Sequence, residues 1–318
     1  MTSQSKYLND QRILSHGYKD ETLEQTVETI KERIRRAGDK PHVSVEKQLI
    51  IVDELADCPY GQFLLKNQGL DGDWADYMIC HPYTGRISGI DPQGRHFTEI
   101  EKTLFDKCPS FLATQERSVH FTKIIQKYVR EGTVLASLPC GFMRDLLSLD
   151  FTGINNFRLI GIDIDPNMLN GAKELAKQYT LSAKVEFFQE DAWNLPFENK
   201  FNLLTSNGLN IYEADDNKVT QLYHQFFKAL APGGLLVTSF LTPPLDIDSK
   251  SERDINRIDQ NNLLQENIIF ADILNSKWRC FRSCSTTKVQ LETAGFDDIN
   301  FVYDNARIFP TVAAHKPK

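Results

Sequence analysis

TVLASLPCG (133–141) and FRLIGIDIDPNML (157–169) are the two stretches that decide the fold. The first is an apolar, β-prone run, Val134 to Leu138, that turns at once through Pro139, Cys140 and Gly141. A helical pattern follows from Phe142 to Leu149. The second is another apolar run, Arg158 to Ile162, closed by the carboxylate of Asp163. A short strand, a tight turn holding a small residue and a new helix are how a nucleotide-handling βαβ unit begins. Gly141 lets the backbone pass close to a ligand, and the helix behind it offers unpaired N–H groups. Asp163 comes 22 residues after Gly141 (163 − 141), close to the ~20 at which such a carboxylate meets ribose hydroxyls.

This arrangement fits NAD, FAD or S-adenosylmethionine, and the glycines separate them. A dinucleotide site asks for G-x-G-x-x-G, because a pyrophosphate lies against bare backbone. Here Pro139, Gly141 and Met143 hold alternate places, with a single glycine among them. A nicotinamide-dependent reductase is therefore disfavoured, and a cofactor without phosphates is favoured.

Outward from this unit the alternation continues. Pro166 opens a helix to about Gln178; Lys184–Gln189 and Phe201–Thr205 read as strands, Val219–Leu230 as a helix and Leu235–Phe240 as a fifth strand. Strands alternating with helices imply an α/β fold with a sheet wound on both faces, and ligands at the carboxyl ends of its strands. That collects Leu138–Gly141, Asp163, Asp191 and Ser206–Gly208 on one edge. Asp298–Tyr303 and Ile308–Ala314 alternate as an antiparallel hairpin.

The first 131 residues read as a helical cap or lid, with residues 1–20 weakly ordered. Thr22 and Gln25 form a capping box before a charged helix, and Ser44 precedes a second helix at Val45–Leu55. Residues 132–318 form the cofactor domain, with a polar and then helical insertion at 242–286. Leu263 to Arg282 carries its helical pattern, expected to fold over the cleft with the N-terminal helices.

Gly69–Tyr83 is the oddest local text. Its acids lack the D-x-[DN]-x-[DN]-G order of a calcium loop, so no metal is expected. Trp74 and Tyr77, three apart, are either core packing or the wall of a substrate pocket. His81 is the histidine to test first as a base. Tyr212, past the fourth strand, is a candidate acceptor contact or catalytic group, or part of a solvated loop.

The chain has 318 residues, 41% of them hydrophobic, and a net charge of −7. Residues 1–110 hold 14 Lys+Arg against 18 Asp+Glu and the rest 22 against 25, so neither part is basic. This argues against nucleic acid as the main partner. The six cysteines show no metal or disulfide spacing, and neither a membrane span nor a signal core is evident. A cytoplasmic setting is expected.

Five ordered blocks, LASLPCGFMRDLL, IGIDIDPNML, EDAWNLPF, FNLLTSNGLNIY and LAPGGLLVTSF, resemble the motifs of the class I S-adenosylmethionine-dependent methyltransferases. The resemblance covers about residues 133–241. It implies a Rossmann-like, mostly parallel seven-stranded sheet with an antiparallel last strand. It also implies methyl transfer to a small-molecule acceptor, at oxygen or nitrogen. By the same resemblance Leu138, Pro139, Cys140 and Gly141 cradle the methionine part, Asp163 holds the ribose hydroxyls and Ile164 lies beside the adenine. Asp191 faces the adenine amino group, Ala192 donates its backbone N–H, and Ser206 and Asn207 border the transferred methyl. Two departures stand out. Ser137 replaces the acid usual before the turn, and Met143 replaces its last glycine. A protein that binds the cofactor without transferring is the alternative they raise.

Overall fold

The computed structural model describes residues 13–16, 21–91 and 93–318. The weak order expected for residues 1–20 falls largely outside them. The chain divides into two compact units, Ser15–Gln115 with Asp254–Trp278, and Glu116–Arg253 with Arg279–Lys318. The border near residue 115 falls inside the helix Pro109–Ile125 rather than at residue 131. The two ends of that helix explain it. Phe111 packs on Phe105 and Phe270, while Phe121 and Ile125 pack with Leu135 and Leu203 of the sheet.

The first unit is helical. Thr22 and Gln25 close the expected capping box on Leu23–Ala37, and the Ser44 hydroxyl caps Val45–Ala56. These helices bury Ile30 and Ile34, and Ile51, Val52 and Leu55. Gly61 is fixed by close approach, since a β-carbon there would lie 2.1 Å from the Leu55 carbonyl oxygen. Asp71 caps Gly72–Cys80 by accepting the Trp74 N–H, which gives one acid of the odd segment a local task. The insertion's helix is shorter than its sequence pattern. Gln260–Asn267 runs into a π-helical turn at Ile268–Ile273, and Asn275 takes a left-handed φ of 49° that ends it. The pattern continues to Arg282 because Leu274 and Trp278 are also buried, but as irregular chain.

The second unit is the expected α/β sheet, seven strands in the order β3-β2-β1-β4-β5-β7-β6. They are β1 Thr133–Ser137, β2 Phe157–Asp163, β3 Val185–Gln189, β4 Phe201–Ser206, β5 Leu230–Ser239, β6 Asp297–Val302 and β7 Thr311–His315. β1 to β5 pair in parallel, and β7 runs antiparallel to both β5 and β6. Side chains alternate across a strand. Leu135, Leu159, Leu203 and Leu235 accordingly enter one buried cluster, and Ala136, Ile160, Leu204 and Leu236 the other. The sheet is covered on both faces. The helix expected from Phe142 shrinks to Arg144–Leu147, because Gly141 and Met143 hold left-handed φ values of 48° and 60°.

Candidate functional site

The turn after β1 is fastened to the strands on either side. Leu138 N–H donates to the Thr205 carbonyl at 2.9 Å and Cys140 N–H to the Ile162 carbonyl at 2.8 Å. Gly141 N–H donates to one carboxylate oxygen of Asp163 at 3.0 Å, and the other oxygen accepts the Asp165 N–H at 3.0 Å. Asp163 is 5% exposed at the end of β2. Capping of the next helix falls to Asp165, whose side chain accepts the Asn167 N–H at 2.8 Å. Asp163 is thus spared that task and stands against the turn glycine. A carboxylate oxygen offers two acceptor sites, which suits it to a diol. Ile164 is half-buried beside it.

Asp191 and Ala192 are buried just past β3. The Asp191 carboxylate accepts the Trp193 N–H at 3.0 Å, a contact within its own turn. At the end of β4, the buried Ser206 accepts the Thr238 hydroxyl on its carbonyl at 2.8 Å, and the exposed Asn207 accepts the Ser239 hydroxyl at 3.3 Å. Tyr212 closes the 3-10 turn Asn210–Tyr212 and is half-buried. Arg282 clamps that loop, donating to the Asp216 carboxylate (2.8 Å) and to the carbonyls of Asn210 (2.9 Å) and Glu213 (2.6 Å).

One residue of this edge is not visible in the sequence as a site. Asp145 accepts the Ser137 hydroxyl at 3.0 Å and the Thr205 hydroxyl at 2.5 Å. A carboxylate therefore stands at the ends of β1 and β4, beside the serine that replaced the usual acid. Burial pushes its carboxyl above the ordinary value, against the two hydroxyl donors. Arg144 donates to the Tyr179 hydroxyl at 3.0 Å.

Trp74, Tyr77 and His81 all belong to the helical unit, where they meet one another. Trp74 and Tyr77 have ring centroids 5.7 Å apart, and Tyr77 and His81 6.4 Å, in a cluster with Tyr60, Phe97 and Phe105. His81 is 1% exposed, and its Nε2 lies 3.0 Å from the Asp106 carboxylate. Burial holds it below the usual imidazole value, with Asp106 opposing. Gly85 covers it, since a β-carbon there would lie 2.7 Å from Nδ1. This gives His81 the geometry of a packed core group rather than of a base open to an acceptor. Among the described residues no cluster of His, Cys, Asp and Glu is placed to hold a metal, and no helix is long and apolar enough to cross a membrane.

The family described as methyltransferase domain matches residues 137–234. The chain is 36% identical over 89 residues to a demethylmenaquinone methyltransferase of Bacteroides fragilis, covering 27% of this chain and 35% of that protein. It is 26% identical over 167 residues to the ubiquinone/menaquinone biosynthesis C-methyltransferase UbiE of Proteus mirabilis, covering 51% of this chain and 64% of that protein. The matches thus span from about a third to under two thirds of these relatives' length. The crystal structure of a possible exported protein from Bordetella parapertussis is similar over 93% of this chain and 96% of that one, with 40% identity and a TM-score of 0.86.

Proposed function

We propose that the chain, whose residues 137–234 match the methyltransferase-domain family and whose sheet has the expected strand order, is a class I S-adenosylmethionine-dependent methyltransferase that moves the cofactor's methyl group to a small-molecule acceptor. S-adenosylmethionine supplies a sulfonium methyl open to in-line displacement, so the protein's work is alignment. The observation that carries the reading is Asp163, buried at the end of β2 and tied by one oxygen to the N–H of the turn glycine. That contact sets the carboxylate and the turn as one unit, with the carboxylate for the ribose and the turn for the methionyl part. Leu138, Pro139, Cys140 and Gly141 form the cradle, Ile164, Asp191 and Ala192 the adenine end, and Ser206 and Asn207 the border of the methyl.

Asp145 bears on the alternative of a protein that binds without transferring. The carboxylate missing at Ser137 returns from eight residues on, held by that same serine. We assign Asp145 to the cofactor's ammonium group, with Ser137 and Thr205 positioning it. The departure in sequence then costs no charge at the site.

A small, ring-bearing acceptor is supported by the names of the curated relatives, both enzymes of quinone methylation. Tyr212 is proposed to touch it. None of the six cysteines is in a disulfide, which supports a reducing, cytoplasmic setting, against the export named for the Bordetella relative. Calorimetry with S-adenosylhomocysteine tests the core of this reading. The parent binds, and Asp163→Ala loses about 1.5–3 kcal/mol, the range for hydrogen bonds to a charged group. Equal affinity in both proteins removes Asp163 from the site.

A further inference from the structure

Arg117 is a charged group that neither the fold nor the cofactor reading uses. It is 7% exposed, and its guanidinium lies over the Phe309 ring at 4.6 Å. One of its N–H groups donates to the Ser239 hydroxyl at 3.3 Å, while its buried Nε–H has no hydrogen-bond partner among the described residues. A guanidinium carries five donors in a fixed fork, and a buried cation short of acceptors is costly.

The nearby acid does not close those donors. Asp304 opposes the downward shift that burial imposes on Arg117, to about 10, and Tyr212 acts in the same sense. Yet the Asp304 carboxylate is engaged by the backbone N–H groups of Ala306 (3.2 Å), Ile308 (3.0 Å) and Phe309 (2.7 Å). It balances charge across space and leaves the fork open.

The location is what gives the fork a use. Ser239 ends β5, and its hydroxyl, which accepts from Arg117, donates in turn to Asn207 just past β4. The guanidinium is therefore one side chain away from the residue proposed to border the methyl. We infer that Arg117 receives an anionic oxygen of the acceptor, a carboxylate or an ionised hydroxyl, and aligns that acceptor with the methyl. The inference rests on the methyl-transfer reading. The planar fork matches a carboxylate in two-point contact and stabilises an ionised hydroxyl by charge. A neutral acceptor would bury the cation further without an acceptor atom of matching charge.

The test is titration calorimetry at pH 8 on protein saturated with S-adenosylhomocysteine, using benzoate, 4-nitrophenolate and the neutral benzamide. At least one anion binds, and benzamide binds at least about tenfold more weakly. The anion that binds distinguishes a carboxylate from an ionised hydroxyl. Arg117→Gln removes the preference while affinity for S-adenosylhomocysteine stays within about twofold, and Arg117→Lys, which keeps the charge and the fold, retains part of it. Failure of both anions to bind, equal binding of benzamide, or an unchanged preference in Arg117→Gln overturns the assignment. Failure of S-adenosylhomocysteine to bind the parent overturns the methyl-transfer reading instead, before any anion is added.

Discussion

Asp163 and Asp145 are carboxylates of one strand edge that differ in how much of their proposed role the sequence discloses. Asp163 is legible because its position is local logic: a strand ends, and the turn glycine lies at the spacing a nucleotide site needs. Asp145 is not, because its partners are the Ser137 and Thr205 hydroxyls, and Thr205 is 60 residues away. Arg117 is hidden for the same reason, lying 122 residues from Ser239. Asp145→Asn keeps the shape of the site and removes the charge. Affinity for S-adenosylhomocysteine then falls by about 1.5–3 kcal/mol, while affinity for adenosine, which has no ammonium group, stays unchanged. The pH dependence has a definite sign. Burial raises the Asp145 carboxyl above the ordinary 3.8, so its ionised form is lost as pH falls from that raised value through 3.8. A bound ammonium group favours the ionised form, so affinity rises with pH across that window in the parent and is flat there in Asp145→Asn. A calorimetric series from pH 4 upward checks both. Equal loss of adenosine binding would make Asp145 a structural residue of the turn.

Elements were more legible than their ends. Helical stripes at 21–36, 45–55 and 166–178 match the observed helices Leu23–Ala37, Val45–Ala56 and Pro166–Gln178 to within about two residues, since caps and apolar spacing are local signals. The helix after the β1 turn starts later than its sequence pattern because two left-handed residues, Gly141 and Met143, postpone it. Nothing local marks Met143 for that conformation; burial of its side chain among Leu135, Leu146 and Leu159 supports it. The insertion shows the same limit. Ile268, Ile269, Leu274 and Trp278 are buried as the pattern suggests, while Leu264 is exposed, and a π-turn carries Phe270 to the aromatic cluster of the N-terminal helices. Phe270 is 5% exposed, stacks on Phe111 at 5.6 Å and meets Trp278 at 5.0 Å. Phe270→Ala is therefore expected to destabilise the helical unit by about 3–5 kcal/mol, the usual cost of emptying an aromatic core site. Urea unfolding followed by Trp278 fluorescence in a protein carrying Trp74→Phe and Trp193→Phe reads this directly. A change under about 1 kcal/mol would mean that the insertion contributes little to that unit's core.

At the scale of the whole molecule, the residues proposed to hold the cofactor all belong to the unit of residues 116–253 and 279–318, and the three tryptophans divide between the two units. Trp193 is in the sheet unit, its indole N–H donating to the Lys218 carbonyl at 2.9 Å, and Trp74 and Trp278 are in the helical unit. Anything that binds only the folded sheet unit stabilises it by mass action. For S-adenosylhomocysteine at 100 times its dissociation constant the gain is about 2.7 kcal/mol. In a protein carrying Trp74→Phe and Trp278→Phe, the unfolding transition reported by Trp193 moves to higher urea by that amount when the ligand is added. The same ligand concentration in an Asp163→Ala background is no longer 100-fold above its own dissociation constant, so the shift shrinks by about the binding free energy lost in calorimetry, down to near zero. The two measurements are linked by one equilibrium and agree only if the ligand binds the unit that Trp193 reports. A full shift in Asp163→Ala, or none in the parent despite calorimetric binding, would place the bound nucleoside away from the end of β2.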